Sequence, residues 1–382
     1  WINPLSNPDG TYNGGDNSVS SATRSNSNGV DLNRNFPTPN DPNPSYQNEA
    51  EVQMMLNFAE NHNFVLSANI HSGISLVNYP WDSWTSNENM HADHDWWYQV
   101  SRNYADAVHE INSGYMTAYD NGVTHGGDWY VVNGSRQDNM CYFQHSRELT
   151  LELSNAKMLD AELLPDYWDW NRNALLGYIQ EAMCGIRGLV WDENGDPIEA
   201  EIAISGHDVD NSQIFSDNTI GNYHRMIDDG TWNLTFSANG YSDVTVNDIA
   251  VVDGTINIVD VMLNGSPGST TISGTLTNKE TSNPIEGAEV VITGQSGTQT
   301  VTTDVSGNYT LSNAVEGTYR FEISAIDYMG AVYYETITTT DNTVSKAMVP
   351  TLYFGGTVVD AETGSPIENA EVKVLNSTIA PV

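Results

Sequence analysis

The segment from Asp31 to Arg34 carries a carboxylate, an amide and a guanidinium, directly before Phe36 and Pro37. The rigid fork of donors on an arginine matches the two oxygens of a carboxylate. With Asn33 beside it as a short uncharged donor, Arg34 can clamp the terminal carboxylate of a peptide. A strand end whose arginine pairs with a nearby acid explains the same residues, so the segment alone leaves both interpretations open.

His71, Glu152 and the pair Trp129–Tyr130 are further candidates for a reactive site. His71 follows an apolar run that predicts a buried strand, and α/β sheets bind ligands where their strands end. Glu152 has a leucine on either side, and a carboxylate in such a strand is desolvated, which raises its pKa and suits a general base. The aromatic pair can cover a site from a loop. The alternatives are a structural histidine and a glutamate paired with a buried arginine.

Helical and strand-like patterns alternate through the first half of the chain. The apolar spacing predicts helices and strands over residues 49–62, 64–70, 95–111, 150–153 and 166–182. This alternation predicts an α/β domain with a mixed sheet over residues 1–184.

The second half of the chain is repetitive and rich in Thr, Val, Ile, Gly and Asn. A Pro-Ile-Glu motif recurs with its prolines at Pro197, Pro284 and Pro366, 87 and 82 residues apart. Each unit is long enough for a seven- or eight-stranded β-sandwich. We therefore predict sandwiches over 185–265 and 266–350, and the start of a third over 351–382. They carry no catalytic constellation and are interpreted as rigid spacers or docking modules, with carbohydrate or protein binding as the alternative.

The composition excludes several classes of partner. The formal charge is −37, from 50 acidic residues against 13 lysines and arginines, so the surface would repel nucleic acid and anionic membranes. No apolar run is long enough to predict a membrane span. Cys141 and Cys184 are interpreted as small buried hydrophobes, with a single disulfide as the alternative. The acidic segment 192–196 lacks the later glutamate of a calcium loop and is expected to be a turn.

The order of these motifs resembles the zinc metallocarboxypeptidases, specifically the regulatory branch of carboxypeptidases D, E, N and M. In that branch a transthyretin-like sandwich directly follows the catalytic domain, and the resemblance covers residues 1–265. The motifs that carry it are Asn7-Pro8-Asp9-Gly10, Arg24, Asp31 to Pro37, Asn69-Ile70-His71-Ser72-Gly73, Asn78-Tyr79-Pro80-Trp81-Asp82, Trp129-Tyr130 and Thr150-Leu151-Glu152-Leu153-Ser154.

The resemblance implies a catalytic role for three of these residues. His71 would be a Zn²⁺ ligand, and Glu152 the general base that takes a proton from a zinc-bound water and delivers it to the leaving amine. Arg24 would stabilise the developing oxyanion.

The same resemblance implies how the end of a peptide is held. Asn33 and Arg34 would bind the terminal carboxylate, and Tyr130 would close over the end group. Asp31 would orient a zinc-binding histidine through a hydrogen bond.

The resemblance also implies that Asp82 and Gln137 line the pocket for the side chain of the terminal residue. A carboxylate and an amide in a recessed pocket favour a C-terminal Arg or Lys. Arg136 stands against this, because a cation facing into the pocket would weaken the preference.

The sequence departs from the family pattern in one respect. The first two zinc ligands of the family form a His-x-x-Glu motif that would precede Asn7, and no such motif stands there. We therefore expect the sequence to be an excerpt of a longer protein, and the 382 residues alone to bind zinc poorly. His145 to Glu148 has the same spacing, but it directly precedes the Glu152 strand and is not expected to bind metal. Four other histidines, His91, His94, His109 and His125, are expected to be surface or packing residues.

The leading hypothesis is a secreted or periplasmic, monomeric zinc carboxypeptidase that acts on the C-termini of peptides and proteins. A cell-wall peptide carboxypeptidase is a second possibility, against which Asp82 argues. The third is a non-catalytic peptide-binding or adhesive protein that works through its β-sandwiches.

Overall fold

The structure is a computed structural model that describes residues 1–15, 18–41, 48–265, 270–294, 297–338, 342–351, 357–368 and 370. The chain divides into two compact units, Trp1–Pro267 and Gly268–Val382, and each is described by itself. None of the helices in these ranges is long and apolar enough to span a lipid bilayer.

Within the part of the chain that the structure describes, the helices all lie in the first unit. They are α1 (Pro8–Thr11), α2 (Ala50–Glu60), α3 (His94–Ile111), α4 (Gly126–Trp129), α5 (Arg136–Tyr142) and α6 (Leu164–Glu181), with short 3-10 helices at Leu32–Arg34 and Ala161–Leu163.

The strands form five sheets, one in the α/β region and two in each sandwich. The strands of the α/β region are β1 (Leu66–His71), β2 (Ser75–Tyr79), β3 (Val123–His125) and β4 (Arg147–Leu153). Those of the first sandwich are β5 (Gly185–Asp192), β6 (Glu201–Ala203), β7 (Ile214–Phe215), β8 (Asn222–Arg225), β9 (Gly230–Ser237), β10 (Val244–Val251), β11 (Ile256–Ile258) and β12 (Val261–Leu263). Those of the second sandwich are β13 (Thr270–Asn278), β14 (Glu289–Gly294), β15 (Gly297–Thr302), β16 (Asn308–Ala314), β17 (Gly317–Ser324), β18 (Ala331–Ile337), β19 (Asn342–Thr343) and β20 (Lys346–Met348).

The first sheet is mixed, as the sequence predicts, with the strand order β1-β4-β2-β3. β1 runs parallel to β4, β4 antiparallel to β2, and β2 parallel to β3. The prediction that β1 is a buried strand is wrong. Because β1 lies at the edge of the sheet it is only half-buried, and Ile70 is 60% exposed. The strands buried on both faces are β2, β3 and β4.

Helix α3 covers the sheet because its apolar residues recur every three to four positions. Trp97, Tyr104, Ala105 and Val108 are all buried on one face and belong to the core that includes Leu149 and Leu151 of β4. The Tyr104 hydroxyl donates to Asn171 Oδ1 of α6 at 2.9 Å, so the polar tip of this buried ring is satisfied. Helices α3 and α6 thereby form a layer against which β4 is held.

The recurring sequence motifs of the second half have the same structural role in each copy. The three repeated prolines form the same kind of isolated antiparallel bridge, namely Trp191 with Pro197, Thr277 with Pro284 and Val359 with Pro366. In the first two units the bridge partner lies on the first strand, β5 or β13. Among the described residues, each of the first two sandwiches has eight strands in two sheets, and the third predicted one falls mostly outside those residues.

The Gly-Asn-Tyr motif of the repeats is explained by a positive φ and a close approach. Gly221 and Gly307 have φ of 74° and 73°, and a Cβ would lie 2.4 Å from Val190 O and 2.5 Å from Leu276 O. Only glycine fits these positions without strain. The tyrosine two residues later is buried in both sandwiches, and its hydroxyl donates to a backbone carbonyl.

A buried ion cluster joins the α/β region to the first sandwich within the first unit. Asp93 precedes α3 and accepts hydrogen bonds from Arg147 Nη2 of β4 at 2.6 Å and from Arg225 Nη2 of β8 at 2.8 Å. Asp208 completes the cluster with a bond to Arg225 of 2.6 Å. Asp93, Arg147 and Arg225 are fully buried, so their charges depend on one another for stabilisation.

Candidate active site

The ends of β1 and β4 bring two of the predicted residues together. The parallel register places His71 opposite Glu152, and His71 Nδ1 lies 3.9 Å from Glu152 Oε1. This proximity follows from strand pairing, because directly opposed residues of neighbouring strands project to the same face.

Burial sets the charge of both groups. Glu152 is 6% exposed, its Oε2 has no hydrogen-bond partner among the described residues, and burial raises its pKa to about 7. Burial lowers the pKa of His71 to about 4, with a further contribution from the positive charge of Arg24. The imidazole is therefore neutral at pH 7, the form in which histidine binds metals.

The segment 31–34 forms a tight 3-10 turn at the same cavity. Asp31 caps the turn by accepting the Asn33 N–H at 3.1 Å, and its other oxygen accepts from Arg24 Nε at 2.5 Å. The carboxylate of Asp31 thus holds the Arg24 guanidinium, whose side chain remains 53% exposed. Neither of these contacts involves a histidine, so the orienting role of Asp31 stays a prediction.

A second segment supports the two residues of the expected clamp. Asn33 Oδ1 accepts the Arg136 N–H at 2.9 Å, which leaves the amide nitrogen of Asn33 as the group that can donate. Arg34 Nη1 donates to Asn33 O at 2.7 Å, and its guanidinium carbon lies 5.9 Å from the centre of the Tyr130 ring. Gly134 packs so closely that a Cβ there would lie 2.6 Å from the carbonyl of Arg34.

Asp82 lies in the wall of the same cavity. It is 4% exposed, and its Oδ1 accepts from Asn78 Nδ2 at 2.9 Å. Burial raises its pKa, while the bond from Asn78 lowers it. A Cβ on Gly126 would lie 2.1 Å from Asp82 Oδ1, so the Gly126 backbone packs directly against the carboxylate and leaves no room for a side chain at this position.

One cavity unites nearly all the predicted site residues. It is lined by Arg24, Asn33, Arg34, His71, Asn78, Asp82, Gly126, Trp129, Tyr130, Val132, Thr150 and Glu152. Asp31 and Gln137 are predicted residues that do not line it. Gln137 is fully buried, and its two amide atoms lack partners among the described residues. Its contribution to the pocket stays a prediction.

Arg136 does not face into the pocket. Its Nη2 forms an ion pair with Glu148 Oε2 at 3.1 Å, and Glu148 also accepts from Ser67 Oγ at 2.6 Å. The objection that Arg136 raises against a cationic ligand is thereby removed, because its charge is neutralised by a buried carboxylate.

The other histidines have structural partners. His145 Nδ1 lies 3.0 Å from Asn211 O, His109 Nε2 lies 3.0 Å from Met116 O, and His125 Nε2 accepts the Trp81 N–H at 3.2 Å. His91 packs on Trp81 with ring centres 4.7 Å apart. Cys141 and Cys184 are free thiols, and Cys141 is buried.

The structure adds Asn78, Gly126, Val132 and Thr150 to the residues that line the site. Asn78 and Thr150 stand within recognised motifs, yet sequence reasoning gave them no role. The signal that could have pointed to Gly126 is the pair Gly126–Gly127 before the aromatic pair, since adjacent glycines often mark a close approach of two segments.

A larger groove, of about 450 Å³, lies near the other end of β1 and shares none of these residues. Residues 59–65 and 214–219 form most of its lining. We assign the chemistry to the smaller cavity because the desolvated carboxylate and the neutral imidazole lie there.

The comparisons with known proteins agree with this geometry. Residues 1–174 match the family model of the zinc carboxypeptidases, and residues 271–350 match that of the carboxypeptidase regulatory-like domain. Residues 1–174 therefore match a zinc carboxypeptidase domain, and residues 271–350 match an all-β regulatory-like domain.

Similar curated proteins are carboxypeptidases of the D, N and M types. Carboxypeptidase D of Mus musculus is 31% identical over 271 residues, which cover 65% of this chain and 19% of that protein. The carboxypeptidase N catalytic chain of Rattus norvegicus is 32% identical over 302 residues, covering 69% of this chain and 64% of that protein. Carboxypeptidase M of Mus musculus is 29% identical over 228 residues, covering 57% and 51%. The chain thus spans about a fifth of carboxypeptidase D and less than two thirds of the other two.

Proposed function

We propose that this protein is a zinc-dependent exopeptidase that removes single residues from the C-termini of peptides, with a preference for Arg and Lys. The observation that carries this proposal is the single cavity in which Glu152 and His71 lie beside Arg24, Asn33, Arg34 and Asp82. A general base, an anion clamp and a recessed carboxylate are the groups that such a reaction requires.

The described residues fit part of a zinc site. His71 is neutral and the Oε2 of its neighbour Glu152 is unpartnered, as expected beside a cation. His71 belongs to no group of three potential ligands within the described ranges, so it would supply one ligand of the set. A bound Zn²⁺ supplies polarisation of the scissile carbonyl and a water with a lowered pKa.

Residues of this chain then transfer the proton of the attacking water and stabilise the negative charge that develops on the carbonyl oxygen. Glu152 accepts a proton from the attacking water and transfers it to the nitrogen of the leaving residue. Arg24 stabilises the negative charge that develops on the carbonyl oxygen, and its pairing with Asp31 fixes its position.

Exopeptidase action requires a group that recognises the end of the chain. Asn33 and Arg34 bind the terminal carboxylate, and Tyr130, which is 44% exposed, closes over it. A peptide without a free terminal carboxylate leaves the guanidinium of Arg34 without its partner and binds poorly.

Arg34→Met is expected to lower kcat/KM for a peptide with a free C-terminus by about 10²-fold, because a charge-assisted bond to the substrate is lost. The measurement is steady-state kinetics on one peptide substrate. Arg172→Met is the matched control, since Arg172 pairs with Asp169 on the surface of α6 and should leave kcat/KM unchanged. Equal losses in the two variants would contradict the clamp.

The preference for basic residues rests on Asp82. A buried carboxylate in the wall of the cavity gains most from a ligand that brings a positive charge. The Arg136 cation is held by Glu148, so it does not compete.

Hippuryl-Arg is expected to have a kcat/KM at least about 100-fold above that of hippuryl-Phe, and Asp82→Asn should remove most of this ratio. The comparison of both substrates with both proteins tests the specificity without depending on absolute activity. Equal values of kcat/KM for the two substrates in the unmodified protein would contradict the preference.

We propose four domains: 1–184, 185–265, 266–350 and 351–382. Separate hydrophobic cores in the first three support this division, although Met226 of the second packs into the core of the first. The acidic surface and the family resemblance favour an extracellular or periplasmic location, where the sandwiches act as spacers or docking modules.

A further inference from the structure

The loop Trp81–Ser83, which carries the carboxylate of Asp82 to the cavity, is held by backbone hydrogen bonds. Gly127 N donates to Trp81 O at 2.8 Å, and Val132 N donates to Asp82 O at 2.8 Å. These bonds engage the carbonyls of the loop and leave its N–H groups to be satisfied elsewhere.

The Trp81 N–H donates to His125, and Asp138 accepts the N–H groups of Asp82 and Ser83 with both of its carboxyl oxygens. Asp82 N donates to Oδ1 at 2.9 Å, Ser83 N donates to Oδ2 at 2.8 Å, and Ser83 Oγ donates to Oδ2 at 2.6 Å. Asp138 is itself completely buried, and its own N–H donates to Ser135 Oγ at the start of α5. The carboxyl group of Asp138 therefore fixes the loop to the N-terminal turn of α5.

We propose that Asp138 is a positioning residue for substrate specificity, which holds Asp82 in the orientation that receives a basic side chain. The proposal rests on the function proposed for Asp82. Asp138 does not line the cavity, so it acts through the backbone of the loop rather than through contact with a substrate.

The chemistry of the site explains why a carboxyl group is used at Asp138. Three donors converge on its two oxygens, and an asparagine would turn an NH₂ group toward at least one of them. A second acid there is costly, since burial and the neighbouring charge of Asp82 raise the pKa of Asp138 well above its ordinary value. Packing alone does not require a buried acid beside another acid.

The test compares hippuryl-Arg with hippuryl-Phe in Asp138→Asn and in Ser83→Ala, which removes one of the three donors. For hippuryl-Arg we expect kcat/KM to fall about 10-fold in Asp138→Asn, through KM with kcat retained, and less in Ser83→Ala. For hippuryl-Phe we expect both constants to change less than about 2-fold. If Asp138→Asn does not fold, Ser83→Ala decides the question by the same ratio.

Asp93→Asn is the matched control, because it removes a buried carboxylate of the same protein that has no contact with the Trp81–Ser83 loop. It should leave the Arg-to-Phe ratio unchanged. Equal losses for both substrates in Asp138→Asn would show a purely structural role and overturn the inference. If Asp82→Asn lowers the ratio and neither Asp138→Asn nor Ser83→Ala does, the inference alone is wrong. If Asp82→Asn leaves the ratio unchanged, the proposed basic specificity fails and the inference falls with it.

Discussion

Glu152→Gln is expected to lower kcat for a C-terminal Arg peptide by about 10²–10⁴-fold, the range for loss of a general base. Glutamine keeps the shape of the side chain but cannot accept the proton of the attacking water. KM should change little, because Glu152 is not part of the carboxylate clamp. The measurement is steady-state kinetics together with zinc content, which should remain that of the unmodified protein.

Glu181→Gln provides a control for the loss of a desolvated carboxylate as such. Burial raises the pKa of Glu181 to about 7, as it does for Glu152, but Glu181 lies at the end of α6 and does not line the cavity. Its variant should keep full activity. Retained turnover in Glu152→Gln, or an equal loss in Glu181→Gln, would refute the assignment of the base.

Asp93→Asn is expected to lower the free energy of unfolding at pH 7 by about 3–5 kcal/mol, because it leaves Arg147 and Arg225 buried without their shared counter-charge. The measurement is denaturant unfolding of the full chain. Since Arg225 belongs to the first sandwich and Arg147 to the α/β region, fluorescence changes of both regions should shift together.

The dependence of this stability difference on pH provides a second test of the comparison between the unmodified protein and Asp93→Asn. Neighbouring arginines hold the pKa of Asp93 well below its ordinary value of 3.8, against the effect of burial. A lowered pKa contributes stability that is present above the ordinary value and lost as the pH falls toward the folded one. The difference between the unmodified protein and Asp93→Asn should therefore shrink below about pH 4. Asp106→Asn, which breaks an exposed pair with Arg102, should have little effect at any pH. A constant difference across the pH range, or a full-size effect of Asp106→Asn, would contradict the role of the cluster.

Local sequence signals predicted the elements that carry the site. The helical spacing over residues 95–111 predicted α3 to within one residue of its start. The apolar residues around Glu152 predicted β4, although this strand begins earlier, at Arg147. The carboxylate between two leucines also indicated the raised pKa of Glu152. These features depend on residues close together in the chain, which is why a single sequence contains them.

Features that depend on contacts between distant segments could not be predicted in this way. The position of β1 at the edge of the sheet depends on its pairing with β4, about eighty residues later in the chain. The apolar residues of β1 alone therefore could not predict that the strand is only partly buried. The ion pair of Arg136 with Glu148 and the contact of Asp138 with the Asp82 loop likewise depend on tertiary packing. Asp93 and Arg225 are 132 residues apart, and neither has a neighbour in the sequence that indicates the other.

The central claim is hydrolysis of one residue from a free C-terminus, and it is tested most directly by product masses. The zinc-loaded protein is incubated with one peptide that ends in Arg, supplied either as the free acid or as the C-terminal amide, with and without a zinc chelator. The account predicts loss of a single Arg from the free acid, at least about 100-fold slower cleavage of the amide, and no cleavage with the chelator. Internal cleavage of both peptides at equal rates, or release of Arg that the chelator does not affect, would contradict it.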